Sequence, residues 1–82
     1  MCLLVIYSSI MDNDEEIYHE VKAFGSVLGA YECLEKYKND ILAENETRNV
    51  TTKTDKQERF VCVVNNVDVY DVSIEYINAE VF

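Results

Sequence analysis

The chain has 82 residues, with 16 acidic against 7 basic side chains, for a formal charge of −9 with its single histidine neutral. Hydrophobic residues make up 49%, enough for one core, in a domain small enough to leave much of its surface in water. The acid excess argues against direct DNA or RNA binding, which depends on Lys and Arg displacing counterions, and no apolar run approaches the ~20 residues of a membrane span.

The opening run Cys2-Leu3-Leu4-Val5-Ile6-Tyr7 is aliphatic and β-branched and reads as a central strand over residues 2–9. It lacks the basic leader and small-residue cleavage site of a secretory signal, and acids follow it at once. Residues 11–15, Met-Asp-Asn-Asp-Glu, read as a turn. A second strand is expected over residues 16–24, with Ile17, His19, Val21 and Ala23 on one face and Tyr18, Glu20 and Lys22 on the other. The two strands form a hairpin in this scheme.

Gly25-Ser26 ends the strand, and Ser26 is suited to cap a helix. Val27, Ala30, Tyr31, Leu34, Tyr37 and Ile41 recur at three- and four-residue intervals, which predicts an amphipathic helix from Val27 to Glu44. Gly29 within it points to a close approach of helix and sheet. Residues 45–58 hold one apolar side chain and no helical period, and read as a long flexible loop with Val50–Thr54 as an edge pairing at most. Residues 59–64 resume as a strand. Asn65-Asn66 forms a two-residue hairpin turn, since Asn accepts positive φ, and a final strand covers residues 67–77 with a break near Asp71. Residues 78–82 extend it or turn back.

The expected fold is therefore one α+β domain over residues 1–82, a ββαββ arrangement with one helix on a mainly antiparallel four-stranded sheet. The sheet face bearing Tyr18, Glu20 and Lys22 lies away from the helix in this scheme, exposed or covered by a second copy. Tyr31 and Tyr37 belong to the core; Tyr7, Tyr18, Tyr70 and Tyr76 are the more open tyrosines.

Charge is unevenly placed. Residues 1–21 carry five acids and residues 60–82 carry four, with no Lys or Arg in either segment, while residues 22–59 hold seven of each sign. If the first and last strands are neighbours, Asp12, Asp14, Glu15, Glu16, Glu20, Asp68, Asp71 and Glu75 gather into an acidic surface that attracts a basic protein and repels nucleic acid. The same acids also serve plain solubility.

Catalytic chemistry has little to work with. His19 is the only histidine and shares a strand face with Ile17 and Val21, as core residues do. Cys2, Cys33 and Cys62 are odd in number and lack CxxC spacing, which fits reduced, packed thiols in a cytoplasmic protein and not a zinc site. The acidic run from Asp12 lacks the Gly and the terminal acid of a calcium loop, with Ile17 and Ala23 at those places. Gly25-Ser26-Val27-Leu28-Gly29 lacks the ending of a phosphate loop. No cofactor, metal or catalytic residue is called for.

The stretch Val21-Lys22-Ala23-Phe24-Gly25-Ser26, followed by Ala30-Tyr31-Glu32-Cys33-Leu34, resembles the strand-into-helix passage of small acidic bacteriophage ββαββ accessory proteins. That resemblance implies a non-enzymatic inhibitor, a host-takeover or anti-defence protein that occludes a nucleic-acid- or nucleotide-binding site on a basic protein partner in the host cytoplasm. It carries over no functional residue. The alternative class is a small structural or regulatory module that homodimerises through a strand edge or a sheet face.

Overall fold

The structure, a computed structural model, describes residues 2–10 and 16–77, the side chains of 16–19 excepted. Its elements are β1 (Cys2–Ile10), β2 (Glu16–Phe24), α1 (Val27–Glu44), β3 (Val50–Lys56), β4 (Arg59–Val64) and β5 (Asp68–Ile77). One helix lies on one face of a fully antiparallel sheet of order β2-β1-β5-β4-β3. The α+β class stands, but the sheet has five strands rather than four. The extra one is β3, within the segment expected to be a flexible loop. It pairs from Val50 to Lys56 with β4, with a register shift between Thr52 and Thr54. β5 is continuous through Asp71. The expected turn at residues 11–15 and the path of residues 78–82 lie outside the described residues.

Local chemistry accounts for the boundaries. Ser26 has extended backbone, and its Oγ accepts from the Gly29 amide at 3.1 Å, which caps an otherwise unsatisfied donor at the helix start. A Cβ at Gly29 would stand 3.0 Å from that Oγ and 3.3 Å from the Phe24 ring, so glycine is what lets the first turn sit this close to β2. At the other end Asn45 is buried: its Nδ2 and backbone N–H both donate to the Ile41 carbonyl, at 2.8 and 3.2 Å. Asn65 and Asn66 have φ of 54° and 64°, and the Val67 amide donates to the Val64 carbonyl, as a turn with two left-handed central residues requires.

The core lies between helix and sheet. Ala30, Leu34 and Ile41 from α1 meet Leu3 and Val5 of β1, Phe60, Cys62 and Val64 of β4, and Val72 and Ile74 of β5. Val27, the first member of the helical stripe, is left on the surface. Tyr7 and Tyr70 are not open as expected but half-buried against this core, together with Tyr31 and Tyr37.

Candidate functional site

Pairing registers assign each side chain to a face. Tyr7 stands opposite Glu20 and Val72, Val72 opposite Phe60, and Phe60 opposite Asp55, so these five form one row across the sheet beneath the helix. Glu20 and Lys22 therefore lie on the helix side, the reverse of the face expected for them. Tyr37 of the helix donates its hydroxyl proton to Glu20 Oε1 at 2.6 Å, and Lys22 Nζ is 3.1 Å from the same oxygen and 5.2 Å from the Tyr37 ring centroid. The bond to Glu20 raises the Lys22 pKa, while burial, followed by the bond to Glu20, pushes the Tyr37 hydroxyl up to about 12. Both faces of β2 are mixed in character, so only its register against β1 decides which one the helix covers.

The two charge-biased ends of the chain are indeed neighbours, since β1 and β5 pair along their whole length in the middle of the sheet. Those acids whose side chains are described divide between the two faces of the sheet, Glu20 and Asp68 on the helix side and Asp71 and Glu75 on the other. Glu20 is beneath the helix and paired with Lys22. Asp71 is on the opposite face and held by Arg59, Nη2 to Oδ2 at 2.9 Å and Nε to Oδ1 at 3.4 Å. That arginine comes from the charge-balanced middle of the sequence. Asp68 starts β5 beside the Asn65-Asn66 turn, and Glu75 stands opposite Leu4 toward the other end of the sheet. Glu16 pairs with Ile10 through its backbone; Asp12, Asp14 and Glu15 lie outside the described residues.

What sequence reasoning missed is the nature of the uncovered face. Leu4, Ile6 and Ile10 of β1, Val21 and Ala23 of β2, Val61 and Val63 of β4 and Val69 of β5 alternate with the core residues and so point away from the helix. No second layer of described residues covers them. Val21, near the β2 edge, is 46% exposed, whereas Leu4, Ile6, Ile10, Val61, Val63 and Val69 are half-buried by their neighbours in the sheet. Among the described side chains, their charged neighbours on this face are Lys56, Arg59, Asp71 and Glu75, two of each sign. From a strand spacing near 4.8 Å and a rise near 3.3 Å per residue, the face spans about 400 Å² in projection. The signal in the sequence was that β1 and β4 are apolar at nearly every position, as strands bearing apolar residues on both faces are.

A second feature lies at the helix carboxyl end. Tyr7, Tyr37, Asp40, Ile41 and Glu44 line an open cleft of about 300 Å³. Asp40 and Glu44 are one turn apart, like-charged, and at the negative end of the helix dipole, so both local effects disfavour them. Burial pushes the Cys33 and Cys62 thiols up, which keeps both protonated near neutrality. No group of three or more His, Cys, Asp or Glu able to hold a metal occurs among the described residues, and no described helix is long and apolar enough to cross a membrane. No protein-family model, curated protein or solved structure matches the chain.

Proposed function

We propose that this protein is a non-enzymatic protein-binding module whose contact surface is the open face of its sheet. The observation that carries this is the set of aliphatic side chains from β1, β2, β4 and β5 on a face that no second layer of described residues covers. An apolar surface of a few hundred Å² matches the largest patch of a typical small monomer, a patch that is often functional because leaving it in water costs about 25 cal/mol per Å². The balanced charges at Lys56, Arg59, Asp71 and Glu75 set orientation, and the acid excess elsewhere repels nucleic acid and favours a partner with a basic rim. Such a module acts by occupying a surface, as an inhibitor does, and the phage-type resemblance is consistent with that class.

The test is capture of a partner by the tagged protein from lysate at low and at high salt, with Ile6→Lys and Val63→Lys as variants. Contact through the face expects capture that survives about 0.5 M salt, where charge interactions are screened to a few ångströms, and that both variants abolish. A second reading, electrostatic occlusion by acids, is favoured by Asp68 and Glu75, for which no ion pair occurs among the described residues. It expects the opposite: capture stripped by salt and indifferent to Ile6→Lys.

A further inference from the structure

The sheet has two edges, and they are not alike. β3 is short, carries exposed Lys53 and Lys56, and is broken by a bulge at Lys53. Those are the devices that keep an edge from pairing with another strand. β2 has fewer of them: its register shift lies at its very start, opposite Ser9 and Ile10, and it carries one exposed lysine, Lys22. It pairs with β1 in unbroken register from Tyr18 to Phe24, and it exposes Val21 and Ala23. That lysine is half in water and stands 3.1 Å from Glu20 on the helix side, so the edge presents an acid and a base together rather than a lone repelling charge.

The spacing of charge along β2 fits one partner. In an antiparallel pair of two β2 strands centred on Val21, Glu20 of each copy stands opposite Lys22 of the other, on the same face. Directly opposed residues in such a pair have Cβ atoms about 5 Å apart, and opposite charges there stabilise it. The Glu20–Lys22 pair within each copy then joins its symmetry mate in a ring of alternating charge. A register centred on Glu20 would instead oppose two carboxylates. Only a strand with acid and base two positions apart about an apolar residue is self-complementary in this way.

We infer that the protein forms a two-fold dimer by pairing β2 with β2 of a second copy, centred on Val21, to give a continuous ten-stranded sheet. This concerns the sheet edge and goes beyond the assignment of its face. It also bears on that face, because joining two copies pools two open surfaces of about 400 Å² into about 800 Å², the share per partner of a standard protein interface. Both helices lie on the same side of the joined sheet, so the aliphatic side stays free for a partner.

Sedimentation velocity from roughly 1 to 200 µM, with circular dichroism as the folding control, tests this on the wild type, E20K, K22E and an equimolar mixture of the two variants. The wild type is expected to dimerise. Each variant alone places like charges opposite one another and is expected to lose at least tenfold in dimer affinity. The mixture opposes lysines to glutamates and is expected to dimerise as a hetero-pair. A monomeric wild type, variants that dimerise as well as the wild type, or a mixture that stays monomeric overturns the inference. Should either variant fail to fold, Val21→Cys carries the test: it is expected to form a reducible covalent dimer in air, whereas Ala23→Cys, displaced from its mate by about 13 Å along the strand, is not. Absence of the Val21→Cys dimer overturns the inference. A monomer that still captures a partner in an Ile6-dependent way defeats the dimer and leaves the face assignment standing; a dimer whose capture ignores Ile6→Lys does the reverse.

Discussion

Tyr37 and Lys38, consecutive in α1, bind opposite margins of the sheet: Tyr37 donates to Glu20 on β2 at 2.6 Å, and Lys38 Nζ donates to Asp55 Oδ1 on β3 at 2.9 Å. Glu20 and Asp55 end the same cross-strand row, with Tyr7, Val72 and Phe60 between them. Residues next to each other on a helix point about 100° apart, so a helix lying along the middle of a five-stranded sheet can reach both edges from one turn. The two contacts differ in burial. The Tyr37 bond is partly buried with an ionised acceptor, whereas Asp55 is largely in water.

Tyr37→Phe is therefore expected to cost about 1.5 kcal/mol, the range for a hydrogen bond to a charged group. In a domain of this size that lowers the melting temperature by roughly 6–12 °C. Lys38→Met should cost less, because exposed ion pairs contribute little. Thermal melts of both variants check the order, and a larger loss for Lys38→Met would contradict it.

The same tyrosine sets an alkaline limit. Its folded pKa of about 12 lies above the ordinary 10 of the unfolded chain, chiefly through burial, so the folded state holds the proton more tightly. The resulting stability is fully present below pH 10 and is lost as pH rises from about 10 toward 12. Denaturant titrations across that window should show falling stability in the wild type and a shallower fall in Tyr37→Phe.

The amino-terminal hairpin, the helix with its Ser26 cap, β4, β5 and the Asn65-Asn66 turn were all legible, because each carries a strong local signal: aliphatic runs, helical spacing, or a residue that tolerates positive φ. β3 was not. In Val-Thr-Thr-Lys-Thr-Asp-Lys only Val50 is apolar, since an edge strand with much of its surface in water needs few apolar side chains. The candidate site was the least legible part. The two acid-biased ends do meet, in the pairing of β1 with β5, but the pairing of Glu20 to Lys22 and of Asp71 to Arg59 is a tertiary property that composition does not carry. The open face escaped notice because residues on a bare aliphatic sheet surface look like core residues in sequence.

Glu44→Lys should stabilise the fold by about 0.5–1 kcal/mol. It removes a like charge one turn from Asp40 and places a cation at the negative end of the helix dipole. An increase in melting temperature that shrinks in high salt is the expected outcome; no change would mean that the cleft beside Tyr7 and Tyr37 relieves the repulsion by another route.

Asn45 is buried at the helix end, donates to the Ile41 carbonyl through Nδ2 and accepts from Arg48 Nη1 at 3.1 Å. Asn45→Ala should cost about 1–2 kcal/mol by leaving that carbonyl with fewer donors. Asn45→Asp should cost more near neutrality, since an ionised carboxylate repels the carbonyl it replaces a donor to and is itself desolvated. The Arg48 guanidinium, which already donates to this side-chain oxygen, pairs with the new carboxylate and offsets part of that cost, so the penalty should grow when Arg48 is also removed. Urea titrations of the single and double variants separate these outcomes.

Methyl NMR with a neutral gadolinium chelate as a soluble broadening agent examines the uncovered face most directly. Methyls of Leu4, Ile6, Val61, Val63 and Val69 should broaden strongly, while those of Leu3, Val5, Val64 and Val72, beneath the helix, should be spared. Equal protection of both sets would mean that the far side of the sheet is already covered, and it would then be no surface for a partner.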